Sequence, residues 1–162
     1  MVAALAALLV GYVVVTVVFF LRPSLGSVSR PQAVVVLGGY GDRLAQGVAE
    51  ARAHPGSVLE VSVPGPCPRV AGMAVHCFRP DPQSTQGEAR AIAHLASAHH
   101  WDRLLVVAGT TQVSRADLRI GRCYHGEMAF ADVDPQGIGS WLHFIAYDQA
   151  ALAKAVAWQW GC

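Results

Sequence analysis

Three short segments hold the residue types that could do chemistry together. The first is Leu37-Gly38-Gly39-Tyr40-Gly41-Asp42-Arg43. Its glycines let the backbone approach a ligand closely, and a following helix would offer unpaired N–H groups to an anion. The spacing is neither a full GxGxxG fingerprint nor a Walker loop, so a plain turn explains it equally well. The second is Ser84-Thr85-Gln86-Gly87-Glu88-Ala89-Arg90. Thr85 and Glu88 fit a capping box, which needs no further function. The same hydroxyl and carboxylate could instead reach a polar ligand from a helix start.

The third segment is Gly109-Thr110-Thr111-Gln112-Val113-Ser114-Arg115-Ala116. Ser114 and Asp117 fit another capping box. Arg115, Arg119 and Arg122 fall on one helical side, a pattern usual for a solvated face. Arg115 stands apart because a cation in a first helical turn opposes the helix dipole. That placement points to an anionic partner, either Glu88 or a ligand. The seven histidines are scattered, and no GxSxG elbow or Ser-His-Asp order is present.

Positioning such residues together requires a particular frame. Ala33 to Leu37 and Leu104 to Ala108 are continuous apolar runs, the mark of strands buried on both faces. Further strands are expected over Val58 to Val63, Met73 to Phe78 and, more weakly, Met128 to Asp132. Helices are expected over Asp42 to His54, Gln86 to His99, Ser114 to Tyr124 and Trp141 to Trp160. Strands alternating with helices predict an α/β fold in three layers, with a mainly parallel sheet of about five strands. In such a sheet ligands sit beyond the carboxyl ends of the strands. Gly38, Gly39, Arg43, Thr85, Glu88, Gln112 and Arg115 are therefore expected to meet in one crevice there. The short connection between the second and third strands is the weak point, since a parallel crossover usually needs a dozen or more residues.

The rest of the chain speaks to location. Val2 to Leu21 contains no charged residue, and twenty helical residues span about 30 Å, the thickness of a bilayer core. A cleaved signal peptide would want a positive leading region and a small-residue cleavage site. Here Arg22-Pro23 follows the run directly. The chain thus divides into a transmembrane anchor (1–21) in contact with the lipid bilayer, a linker (22–32) and one α/β domain (33–162). Much of the 53% hydrophobic content lies in the anchor, and a net charge of +1 argues against nucleic acid as a partner.

Arg22 and Arg30 favour an inward domain by the positive-inside rule. The four cysteines, Cys67, Cys77, Cys123 and Cys162, favour an extracytoplasmic one. Their spacing does not suit a metal site. Four cysteines allow three pairings; Cys67–Cys77 and Cys123–Cys162 is the one expected, closing a short Pro-rich loop and tying down the terminus.

Taken in order, Val34-Val35-Val36-Leu37-Gly38-Gly39 with Arg43, Ser84-Thr85 with Glu88-Ala89, and Arg115-Ala116 resemble the YdcF/SanA/ElyC family of bacterial envelopes. The run Cys77-Phe78-Arg79-Pro80-Asp81-Pro82, the triplet Arg122-Cys123-Tyr124, Lys154 and Gly161-Cys162 look like an actinobacterial branch. The resemblance covers nearly all of the chain after the anchor. It implies a Rossmann-like fold, a role in envelope or cell-wall biogenesis, and a nucleotide-like ligand such as S-adenosylmethionine. The sequence departs from the pattern where relatives commonly have Thr-Ser after the fourth strand and a His before the Arg. Here Ala108-Gly109 and Gln112 stand instead, and an amide cannot act as a general base. Three functions follow as expectations. The first is a membrane-anchored protein binding a small anionic or nucleotide-like ligand. The second is an active transferase or hydrolase on an envelope precursor. The third is a non-catalytic scaffold that uses Trp141, Trp158 and Trp160, although tryptophans so spaced are more often core.

Overall fold

The run Ala33–Val36 forms β1, and all four of its residues are buried. Side chains alternate across a strand. Ala33, Val35 and Leu37 accordingly enter one apolar layer with Ala89, Ile92, Ala116 and Ile120. Val34 and Val36 enter the opposite layer with Val48, Ala51, Leu59 and Val61. The chain is thus a three-layer α/β fold, seen in a computed structural model that describes residues 1–39 and 41–162. Tyr40, inside the glycine loop, lies outside the described residues.

The remaining strands are β2 (Val58–Ser62), β3 (Val75–Phe78), β4 (Arg103–Gly109) and β5 (Glu127–Val133). The sheet order is β3-β2-β1-β4-β5, and every neighbouring pair is parallel. The order reverses between β1 and β4, so a crevice is expected beyond their carboxyl ends. The helices are α1 (Val2–Thr16), α2 (Arg43–Ala53), α3 (Thr85–His99), α4 (Val113–Gly121) and α5 (Ile138–Ala157). The doubtful β2–β3 connection is a parallel crossover without a helix. Its loop is stapled by Cys67–Cys77, with a Cα separation of 5.8 Å, inside the range a disulfide needs.

The helix α1 continues as a π-helical end, Val17–Leu21. Together they make one uncharged helix of 20 residues, long and apolar enough to cross a membrane. Its last turn is not free. Phe20 is only 2% exposed, and Ser114 Oγ donates to the Phe19 carbonyl at 2.7 Å. Higher up, Gln149 of α5 accepts from Tyr12 Oη and donates to Thr16 Oγ1.

The chain terminus corrects two expectations. Arg119 and Arg122 do not form a solvated face. Arg119 is buried and bonds the carbonyl and side chain of Gln159, while Arg122 donates to the carbonyls of Ala155 and Gln159. These guanidiniums satisfy carbonyls that the end of α5 would otherwise leave unpaired. Cys123–Cys162, with a Cα separation of 4.9 Å, closes the same corner. Nor are the last tryptophans core: Trp158 is 78% exposed and Trp160 70%. The helix stops at Ala157, so both lie outside its packed stretch.

Candidate functional site

The first wall of the crevice is the turn after β1. Gly38 donates its N–H to Glu88 Oε1 at 2.7 Å. A Cβ on Gly38 would stand 3.3 Å from that same oxygen, so a side chain there would press on the carboxylate. Gly39 has φ +139°, and a Cβ there would collide with the Arg43 guanidinium. Arg43 opens α2, whose N-cap is Asp42. Its side chain folds back beneath the turn, with Nη1 donating to the Gly38 carbonyl at 2.5 Å and to Gln112 Oε1 at 2.6 Å. It is 3% exposed. A charge so buried persists only when hydrogen-bonded, and this one clamps the ends of β1 and β4 together.

The second wall is the start of α3. The expected Thr85–Glu88 capping box is not formed. Ser84 is the N-cap, accepting from the Gly87 N–H, and Thr85 is the first helical residue. That shift frees Thr85 Oγ1 to accept from Gln112 Nε2 at 3.2 Å, and frees Glu88 to bond Gly38. Gly87 is required because a Cβ would strike the Pro82 carbonyl. Glu88 is 4% exposed. Burial pushes its carboxyl above the usual carboxylate range, against the opposing pull of the Gly38 N–H, the Ser62 hydroxyl, Arg43 and Arg115.

The third wall follows β4. A 3₁₀ turn, Thr110–Gln112, leads into α4. The Ser114–Asp117 capping box is also absent, since α4 begins at Val113 and carries no side-chain cap. Ser114 lies inside the helix and donates to the Phe19 carbonyl of the N-terminal apolar helix instead. Gln112 uses both ends of its amide, accepting from Arg43 and donating to Thr85. This side chain therefore joins the walls of the crevice.

Arg115 pairs with Asp148, not with Glu88. Its Nη2 donates to Asp148 Oδ1 at 2.8 Å, with the side chains 13% and 2% exposed. Thr111 Oγ1 donates to Asp148 Oδ2 at 2.6 Å. The guanidinium also lies 5.6 Å from the Tyr147 ring centroid, within cation–π range. Among the described residues its Nε is buried without a hydrogen-bond partner.

All seven expected residues, Gly38, Gly39, Arg43, Thr85, Glu88, Gln112 and Arg115, line one crevice of about 310 Å³. Sequence reasoning missed the fourth wall, Phe144, Tyr147 and Asp148 of α5, and it missed Ser62. Ser62 ends β2 and obeys the same carboxyl-edge rule. Asp148 carried a signal too, as the sole acidic residue of a largely apolar helix. Among the described residues no cluster of three His, Cys, Asp or Glu could hold a metal. The crevice offers two guanidiniums, two carboxyls of which one is biased toward its neutral acid form, and an aromatic face. Such a set suits a ligand with both an acceptor and a donor. No protein-family model matches this chain, and neither a curated protein nor a solved structure matches it.

Proposed function

We propose that the chain is a membrane-anchored envelope protein of the YdcF type, whose α/β domain binds a small anionic or nucleotide-like ligand beyond the carboxyl edge of its sheet. One observation carries this reading. Arg43, Glu88, Gln112, Arg115 and Asp148 come from five different helices or turns, yet line a single crevice at the switch point between β1 and β4. A stable fold needs polar burial of that density in few places, because each buried polar group must be compensated. The unpartnered Arg115 Nε adds a donor for an anionic group. S-adenosylmethionine, the ligand type implied by the family resemblance, supplies a carboxylate, an ammonium and an aromatic base.

The uncharged helix supports anchorage. Phe20 is part of the domain's packing, which argues against removal of the segment as a signal peptide. Two disulfides and no free cysteine support an extracytoplasmic domain. The test is full-length protein in detergent micelles, titrated calorimetrically with S-adenosylmethionine and with a phosphate monoester. Saturable binding of either at one per chain, weakened in Arg115→Ala, supports the reading. Absence of binding by both opposes it.

A second reading has its own observation. Glu88 is a buried carboxyl with a raised pKa inside a crevice, as a general acid or base requires. It would act in a transferase or hydrolase working on an envelope precursor. Turnover that survives Glu88→Gln would dismiss it.

A further inference from the structure

The helix α5 carries one long stripe that is apolar except for Gln149. Ile138, Leu142, Ile145, Gln149, Leu152 and Val156 recur at three- and four-residue steps, which places them on one helical face. The C-terminal half of that stripe faces the apolar N-terminal helix across a cleft. Gln149 bonds Tyr12 and Thr16, and Leu152 and Val156 share a cleft with Val15, Val18 and Phe19. The N-terminal half is bare, with Ile138 81% exposed and Leu142 66%. The opposite face of the same helix turns Phe144, Tyr147 and Asp148 into the crevice.

The level of this stripe follows from its contacts. Tyr12 and Thr16 lie inside the uncharged run Val2–Leu21. At 1.5 Å per residue, Tyr12 stands about 13 Å from the domain end of that run. A residue bonded to it is therefore level with the hydrocarbon or headgroup zone of the adjacent leaflet, once the run spans a bilayer. Two large aliphatic side chains next along the same stripe would there meet lipid rather than water.

We infer that the N-terminal half of α5 is a second membrane contact, seating Ile138 and Leu142 in the leaflet on the domain's side, so that the carboxyl edge of the sheet and its crevice lie against the bilayer surface. This rests on the anchor spanning the membrane. The occupant is lipid because the exposed stripe is continuous with the stripe that already packs on the anchor. A second copy of the chain is the competing occupant.

Photocrosslinking of the full chain distinguishes these cases. Leu8, Leu142 and His100 are each replaced in turn by benzoylphenylalanine, and the protein is reconstituted in phosphatidylethanolamine–phosphatidylglycerol vesicles. All three positions are exposed, and His100 immediately precedes the β4 side of the sheet's amino edge. After irradiation, lipid adducts are read by mass spectrometry. Adducts at 8 and 142, several-fold above those at 100, are the expected result. Adducts at 8 but not at 142 overturn the inference and leave the anchor standing. Crosslinked dimers from 142 in place of lipid adducts overturn it in favour of a second copy. Loss of adducts at 8 as well overturns the anchor together with the inference.

Discussion

Replacing Arg115 by alanine removes the partner of the most deeply buried acid in the crevice. Asp148 is the more enclosed member of the pair, its side chain 2% exposed against 13% for Arg115. Losing the cation leaves Asp148 with the Thr111 hydroxyl as its remaining partner. Breaking a buried pair in this way costs about 3–5 kcal/mol. For a chain of this size that lowers Tm by on the order of 10 °C. Asp148→Asn should be milder, at about 1–2 kcal/mol, because the abandoned guanidinium reaches water and keeps the Tyr147 ring. The double variant should lose less than the sum of the single ones, since contacting charges couple. The assay is denaturant or thermal unfolding of the four proteins in one detergent. Arg115→Ala within about 0.5 kcal/mol of wild type, the range of an ordinary surface change, would refute the reasoning and return Arg115 to a pure ligand contact.

Phe20→Ala should destabilise the domain by about 3–5 kcal/mol, as for other buried aromatics, whereas Phe19→Ala, at an exposed position, should not; unfolding in detergent reads both. Opening Cys67–Cys77 by a double serine substitution should cost about 2.7 kcal/mol and opening Cys123–Cys162 about 3.9 kcal/mol, from closed loops of 10 and 39 residues. Glu88 holds its proton more tightly folded than unfolded. Its stabilising share is complete below the ordinary value of 4.5 and is lost as pH rises through the raised folded value. The stability of wild type relative to Glu88→Gln should therefore fall as pH climbs from 4.5, and a flat difference would count against the raised pKa. Gly39→Ala should cost more than 1 kcal/mol on the order-of-magnitude scale of backbone strain, given its positive φ and the Arg43 clash, measured by the same melts.

The sheet was legible because β1 and β4 are uninterrupted apolar runs, which few other structures accommodate. Once strands alternate with helices, topology brings their carboxyl ends together, and that alone located Gly38, Arg43, Glu88 and Arg115. Local pattern was a poorer guide. Thr85 with Glu88, and Ser114 with Asp117, match capping boxes in spacing. In the fold Glu88 answers a distant N–H on Gly38 and Ser114 a carbonyl of the N-terminal apolar helix. Tertiary partners outbid the local bond in both cases. Asp148 was invisible to the carboxyl-edge rule because it comes from mid-helix, delivered by the packing of α5. Arg119 and Arg122 looked solvated for a similar reason: they donate to main-chain carbonyls at the far end of the chain, which no residue pattern advertises.

The most direct measurement of ligand binding at the crevice is equilibrium dialysis of full-length protein in micelles against S-adenosylmethionine and a phosphate monoester. Wild type is set beside Gln83→Trp. Gln83 is an exposed residue lining the crevice, so the indole blocks the space without touching the buried network. One equivalent bound by wild type, and affinity reduced at least about tenfold (1.4 kcal/mol) in Gln83→Trp, is the expected result. No binding by wild type, or binding that Gln83→Trp leaves unchanged, would contradict it.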